Sequence, residues 1–261
     1  MTANLFGVTR HADGVVSLCI ATDEEPYLGA RWVDGFATAL AKLANDTTTR
    51  VVILAGGGRY FSAGASRQAL TNDGERDALF DYIARAAPML LGIPIPTIAA
   101  AAGHAIGGGL LVALWCDVIA LAEESLYGVN FMQLGFTPGM GATHVVHEAF
   151  GGPLGRELLL TGRLLTGREI MRACCPLSHA VVPQAQVMDR ALSIARSIAD
   201  APQQSVERLK RNLVERRHEG LERVLQAEAA DHAHLFADPE ISAEIRRRYP
   251  LRNPSESIEA S

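Results

Sequence analysis

Residues 103–109 have the sequence Gly-His-Ala-Ile-Gly-Gly-Gly, between the apolar run TIAAAA at 97–102 and a second apolar run at 110–115. The first run predicts a strand, and the second predicts a helix that begins at Gly108. Because three consecutive glycines carry no Cβ atoms, the backbone of this turn can approach a bound molecule closely. The start of a helix also presents unpaired N–H groups and a favourable dipole. The turn is therefore a candidate site for an oxygen atom that carries negative charge.

A second glycine turn lies upstream at residues 60–66, with the sequence Tyr-Phe-Ser-Ala-Gly-Ala-Ser. It follows the apolar run RVVILA at 50–55, which predicts a buried strand. Two N–H donors that converge on one carbonyl oxygen would form an oxyanion hole. Glycine-rich turns also bind phosphates, and tight packing would explain either turn alone. The run Gly107–Gly109 does not have the G-x-G-x-x-G spacing of a dinucleotide site, and G-x-x-x-x-G-K-[ST] is absent from the sequence.

Outward from these turns, the first half of the chain alternates predicted strands and helices. Further strands are predicted at 14–21 and 118–122, and helices at 29–43 and 75–91. Strand-then-helix alternation implies parallel pairing through right-handed crossovers, which is an α/β fold. The last third is mostly helical in pattern, with helices predicted at 183–200, 205–218 and 221–236. We therefore predict an α/β core over residues 1–200 and a helical region over residues 201–261.

Composition limits the classes of function. The 261 residues are 48% hydrophobic and 20% charged with a formal net charge of -5, which is typical of a globular protein and not of a nucleic-acid or anionic-membrane binder. No apolar run is long enough to span a bilayer, and the first residues lack the pattern of a signal peptide, so we expect a cytoplasmic protein. The four cysteines have neither disulfide-framework nor C-x-x-C spacing, and no metal site is predicted.

From about Gly14 to about Pro250 the sequence resembles the crotonase, or enoyl-CoA hydratase/isomerase, superfamily. The resemblance is carried by VVILAG at 51–56, FSAGA at 61–65, GHAIGGG at 103–109, Cys-Asp at 116–117 and GFTPGMGAT at 135–143. It implies a crotonase-like spiral of ββα units with a C-terminal α-helical trimerisation region, assembled as homotrimers or hexamers.

The same resemblance assigns site residues. The oxyanion-hole donors would be the N–H groups of Ala65 and Gly108. The thioester and its pantetheine arm would contact Ala63, Gly64 and Gly107. The substrate is a phosphopantetheine or CoA thioester, and no further cofactor is implied.

Departures from the family pattern change the expected chemistry. Hydratases of this family use two glutamates, whose places are taken here by Leu111 and Phe131. Neither side chain can transfer a proton, whereas addition of water to an enoyl thioester needs acid and base groups. We therefore do not expect ordinary hydratase activity.

The segment Tyr127-Gly128-Val129-Asn130-Phe131-Met132 resembles the crotonase homologues of polyketide synthase β-branching cassettes, which act on acyl groups held by an acyl-carrier protein. The catalytic histidine of that subgroup lies four residues before a phenylalanine, a spacing that His232 and Phe236 reproduce. A lone histidine on a helix is otherwise most often a surface or capping residue. The lysine of the subgroup's decarboxylases falls on Asp73, and the nearest basic residues, Arg67 and Arg76, do not match its spacing.

These features predict an enoyl-thioester isomerase that moves a double bond between the α,β and β,γ positions. His232 would carry the proton, because imidazole accepts and returns protons near neutrality. An apolar pocket would exclude water through Leu111, Phe131 and Met132. Tyr127 and Asn130 would line that pocket or satisfy local backbone groups. The alternatives are decarboxylation of a 3-methylglutaconyl-type thioester and non-catalytic thioester binding.

Overall fold

The computed structural model describes residues 5–249, in which ten strands form two sheets. The strands are β1 (Val8–Arg10), β2 (Val15–Ala21), β3 (Val51–Gly56), β4 (Tyr60–Ser62), β5 (Thr97–Ala101), β6 (His104–Ile106), β7 (Val118–Ala122), β8 (Leu126–Gly128), β9 (Leu164–Thr166) and β10 (Val181–Val182). The larger sheet has the order β1-β2-β3-β5-β7-β10 and is parallel except at β1. The smaller sheet has the order β4-β6-β8-β9 and is parallel except at β9.

Helices follow pairs of strands. They are α1 (Ala30–Asn45), α2 (Arg67–Thr71), α3 (Asp73–Gly92), α4 (Gly108–Leu114), α5 (Phe131–Leu134), α6 (Ala142–Phe150), α7 (Gly152–Thr161), α8 (Gly167–Arg172), α9 (Val187–Asp200), α10 (Gln203–His218), α11 (Leu221–Phe236) and α12 (Pro239–Arg248). The pairs β3–β4, β5–β6 and β7–β8 each place one strand in each sheet and are followed by helix. Three successive ββα units therefore build the two sheets together, and the predicted spiral α/β fold is confirmed.

The central strand β3 is buried on both faces, as its uninterrupted apolar sequence predicts. Val51 and Ile53 face a layer formed by α9. Val52 and Leu54, which point to the opposite face, belong to the main apolar core with residues of α1, α3 and α4. The glycine turns lie on the same face as Val52 and Leu54. Each turn is followed by a helix, α2 or α4, that packs on this face.

The C-terminal helices pack on the same core as the strands. Leu221, Phe236 and Ile245 belong to the apolar cluster that also contains β3 and α4. The Arg217 guanidinium donates hydrogen bonds to the carbonyls of Leu114, the last residue of α4, and of Cys116, and it lies 5.1 Å from the centroid of the Trp115 ring. The helices after residue 200 thus share a core with the α/β part, and the division at residue 200 stays a prediction. Residues 250–261 of the predicted helical region lie outside the described residues.

Within the described residues, no helix combines the length and the apolar character needed to cross a membrane.

Candidate active site

The two glycine turns lie directly against each other. Gly64 has a φ of +77°, in the left-handed region. A Cβ atom at this position would lie 2.6 Å from the Ile106 carbonyl oxygen and 3.3 Å from the Gly108 nitrogen. Only glycine fits such a contact without a shift of backbone. The structure therefore brings together the two turns that the sequence places about 40 residues apart.

Both expected oxyanion donors are backbone N–H groups without a protein acceptor among residues 5–249. Gly108 is the first residue of α4, so its N–H has no partner within the helix. The bridge between Leu28 and Ala65 uses the Gly64 carbonyl, which accepts from the Leu28 N–H at 2.8 Å. Ala65 N–H is left unused by this bridge. The pair remains available for an oxygen atom of a ligand.

His232 is a buried side chain of α11, and 3% of its surface is exposed. Its Nε2 lies 2.8 Å from the Thr137 carbonyl oxygen. A carbonyl only accepts hydrogen bonds, so Nε2 carries the proton and Nδ1 keeps its lone pair in the neutral ring. Burial lowers the pKa of His232 from its ordinary value, which favours this neutral form. The imidazole is therefore suited to act as a base through Nδ1.

Aromatic rings enclose this imidazole. The Phe80 ring stacks on it with centroids 5.1 Å apart, and the Phe236 ring meets it edge-on at 6.0 Å. His234, two residues further along α11, is exposed. The helix thus turns one histidine into the core and the other to solvent, which is incompatible with a surface or capping role for His232.

Met140 connects the histidine to the glycine turn at residues 103–109. Together with His232 and Phe80, its side chain lines a mostly apolar cavity of about 80 Å³. The Met140 sulfur would lie 3.1 Å from a Cβ atom on Gly108. One side chain therefore separates the Gly108 N–H from the cavity of the imidazole. An acyl chain whose carbonyl is held at Gly108 would pass Met140 to reach His232.

Comparison with known proteins agrees with these features. Residues 25–250 match the family model described as enoyl-CoA hydratase/isomerase. The chain belongs to the enoyl-CoA hydratase/isomerase family. It is 34% identical over 218 residues to the bacillaene synthase decarboxylase PksI of Bacillus subtilis (strain 168), covering 83% of this chain and 86% of PksI.

Solved structures of the same family are also similar. One belongs to a dehydratase/decarboxylase enzyme couple involved in polyketide β-branching and has a TM-score of 0.84 at 28% identity, covering 93% of this chain and 98% of that chain. Another is the ECH2 decarboxylase domain of CurF from Lyngbya majuscula, with a TM-score of 0.81 at 29% identity, covering 94% of this chain and 99% of that domain. The family and fold inferred from the sequence motifs are confirmed.

The family resemblance assigns two apolar side chains to the positions of the hydratase glutamates. Leu111 is fully buried on α4, one turn after Gly108. Phe131 begins α5, and its Cε1 atom would lie 3.9 Å from a Cβ atom on Gly107. Asn130 approaches the same point with its Oδ1 at 3.2 Å. Phe131 and Asn130 thus border the glycine turn at residues 103–109, and their role in a substrate pocket stays a prediction.

Two further residues that were predicted to line the pocket, Met132 and Tyr127, differ in their exposure to solvent. Met132 is 40% exposed, because neighbouring residues on a helix point about 100° apart and α5 turns Phe131 inward. The contribution of Met132 to an apolar pocket stays a prediction. The buried Tyr127 hydroxyl donates to the Ala101 carbonyl at 2.6 Å and accepts from the Ala122 N–H at 2.7 Å. Of the two roles considered for Tyr127, the structure supports the satisfaction of local backbone groups.

Of two charged groups near His232, Glu228 was not indicated by the sequence, and Arg76 was set aside because of its spacing. Glu228 lies one turn before it on α11 and lines the same cavity, with 6% of its surface exposed. The Arg76 guanidinium lies 5.3 Å from the centroid of the Phe236 ring. The backbone of Asp73 begins α3, but its side chain lies outside what the structure describes.

Proposed function

We propose that this family member moves the double bond of a β-branched enoyl thioester between the α,β and β,γ positions during polyketide biosynthesis. The substrate is held by an acyl-carrier protein through its phosphopantetheine arm, and the enzyme works as a homotrimer or hexamer. The observation that carries the proposal is the buried His232, whose pKa is lowered by burial, in a cavity that is also lined by Met140, the residue whose sulfur approaches Gly108. The named functions of PksI and the β-branching couple support the carrier and the pathway class.

The proposed reaction is a proton transfer by one base. The N–H groups of Ala65 and Gly108 donate to the thioester oxygen, and His232 Nδ1 removes a proton from the γ-carbon. The electron pair of the broken C–H bond enters a dienolate, whose charge the two donors stabilise. The imidazolium then returns the proton to the α-carbon and becomes neutral again. The apolar side chains of Leu111 and Phe131 supply no acid or base that activates water, so the enoyl thioester is not hydrated.

Decarboxylation of a 3-methylglutaconyl-type thioester is the second candidate. Two observations favour it: PksI and the CurF domain are named decarboxylases, and the Arg76 cation lies against the aromatic cluster around His232. In this reaction the bond to the carboxylate breaks and releases CO2. Its electron pair forms the same dienolate, which a protonated His232 then neutralises at carbon.

Intact-protein mass spectrometry separates the candidates. The carrier protein is loaded with either a 3-methylglutaconyl or a branched enoyl group and incubated with the enzyme. We expect the enoyl group to keep its mass while its alkene moves, as seen by chemical analysis of the released acid. Loss of CO2 from the glutaconyl group without alkene migration in the other substrate would contradict isomerisation and support decarboxylation. Tight binding without turnover of either substrate would support a non-catalytic binding protein.

The pH dependence of turnover follows from the state of His232. Burial lowers the pKa of His232, so its folded-state pKa lies below the ordinary value of about 6.5. We expect kcat/KM to be constant through neutral pH and to fall only below about 6.5, where the base becomes protonated. A pH–rate profile with a carrier-bound enoyl substrate measures this. An acid limb centred well above 6.5 would contradict the assignment of His232 as the base.

A further inference from the structure

Met140 has a backbone conformation that its residue type disfavours. Its φ is +62°, and the next residue, Gly141, has a φ of +72°. Glycine adopts the left-handed region freely, but a residue with a Cβ atom does so at a cost. Met140 is also 2% exposed, so neither solvent nor a surface turn explains the conformation. Such backbone persists only where the surrounding structure holds it.

Two buried side chains hold the peptide group between Met140 and Gly141. Trp115 Nε1–H donates to the Met140 carbonyl oxygen at 2.8 Å. On the other side, the Gly141 N–H donates to Glu228 Oε2 at 2.7 Å. The second oxygen of Glu228 accepts from the Thr143 N–H at 3.0 Å and from the Thr143 hydroxyl at 2.8 Å. Both hydrogen-bonding groups of the left-handed peptide are therefore fixed.

The chemistry of these contacts requires a carboxylate. Three donors converge on the two oxygens of Glu228, and an ionised carboxylate has acceptors only. Burial raises the pKa of Glu228, while the hydrogen bonds from Thr143 and Gly141 oppose that rise. A glutamine would turn its NH2 group toward an N–H donor, which leaves at least one buried donor unpaired. Both oxygens of Glu228 accept hydrogen bonds from the backbone or side chains of residues 141–143, so this side chain is suited to hold the segment.

The same helix fixes both ends of the segment. His232, one turn after Glu228 on α11, bonds to the Thr137 carbonyl at the start of residues 137–143. Glu228 bonds to Gly141 and Thr143 at its end. The side chain of Met140 projects from the middle of this segment to Gly108 and to the cavity of His232. Its position is thus set relative to the imidazole by one helix.

We propose that Glu228 is a positioning residue that holds the strained Met140–Gly141 peptide and so fixes the Met140 side chain between Gly108 and His232. In this position Met140 contacts the acyl chain and directs its γ-carbon to the imidazole. The second statement rests on the proposed function, whereas the first concerns the folded chain alone. The two are tested by separate measurements.

The catalytic test compares Glu228→Gln with Glu222→Gln, an exposed glutamate on the same helix. We expect Glu228→Gln to lower kcat by about tenfold to a hundredfold, because a displaced Met140 side chain would let the reacting carbon move away from the base. The dissociation constant of an unreactive thioester analogue should change by less than about twofold, since the thioester contacts are kept. Glu222→Gln should match the wild type. An equal loss of binding and turnover would indicate a general structural role and overturn the proposal.

The structural test is a double-mutant cycle on thermal stability with Met140→Gly. Glycine needs no partner to adopt a positive φ, so we expect Glu228→Gln to lower the melting temperature less in the Met140→Gly variant than in the wild type. Additive effects would overturn the role of Glu228 in holding Met140, even if His232 proved essential. Conversely, coupling between Glu228→Gln and Met140→Gly would support the positioning role even if the proposed reaction proved wrong, because the measurement does not involve catalysis. Should Glu228→Gln not fold, Thr143→Ala removes one hydrogen bond to the carboxylate and must show the same coupling with a smaller amplitude.

Discussion

His232→Gln is expected to reduce turnover of an enoyl thioester by about two to four orders of magnitude, the range that a positioned general acid–base group contributes. A glutamine amide can still donate to the Thr137 carbonyl, which His232 Nε2 contacts at 2.8 Å, but it cannot accept a proton from carbon. The loss should therefore appear in kcat. Binding of an unreactive analogue should change little.

The matched control for this variant is His234→Ala, on the same helix at an exposed position. It should retain the wild-type rate, because its side chain points away from the cavity. Steady-state kinetics with a carrier-bound substrate and a circular dichroism spectrum of each variant make the comparison. Wild-type turnover in folded His232→Gln would remove this residue from the mechanism.

Gly64→Ala is expected to have the second large effect, on both stability and catalysis. Alanine at a φ of +77° costs about 1–2 kcal/mol in backbone energy alone. The added Cβ atom would also lie 2.6 Å from the Ile106 carbonyl oxygen, so the two glycine turns must separate. Separation moves the Ala65 and Gly108 donors apart, and loss of one oxyanion donor typically costs a factor of about 10²–10³ in kcat.

Gly92→Ala serves as the control, because a Cβ atom at Gly92 would meet nothing within 4 Å and its φ is not positive. Thermal unfolding and kcat are measured for both variants. We expect a lower melting temperature and a large loss of kcat for Gly64→Ala, and neither for Gly92→Ala. A Gly64→Ala protein with unchanged stability and turnover would contradict the contact between the turns as the basis of the site.

The long elements were predictable because their hydrophobic periods are strong. The predicted helix at 221–236 has the bounds of α11, and the predicted strand at 118–122 has those of β7. The smaller sheet was missed, since its strands β4, β6, β8 and β9 have three residues each. A run of that length is too short to show an alternating pattern. The residues of β4 and β6 were instead interpreted as parts of the two glycine turns.

The site was predictable where a local feature or the family spacing marks it. The glycine turn at residues 103–109 follows from three glycines in a row, and His232 follows from its spacing to Phe236. Glu228 could not be found this way, because its partners Gly141 and Thr143 lie 87 and 85 residues away. The left-handed backbone of Met140 also has no sequence signal, since methionine normally avoids that region. These features depend on how α11 packs across the turn before α6.

The most direct measurement of the central claim is a crystal structure of the chain with an unreactive enoyl thioester analogue. We predict that the carbonyl oxygen lies about 2.7–3.1 Å from the backbone nitrogens of both Ala65 and Gly108. The γ-carbon should lie beside Met140, about 3–3.5 Å from His232 Nδ1. An oxygen bound away from these two nitrogens, or an acyl chain that does not approach the imidazole in any subunit, would contradict the account.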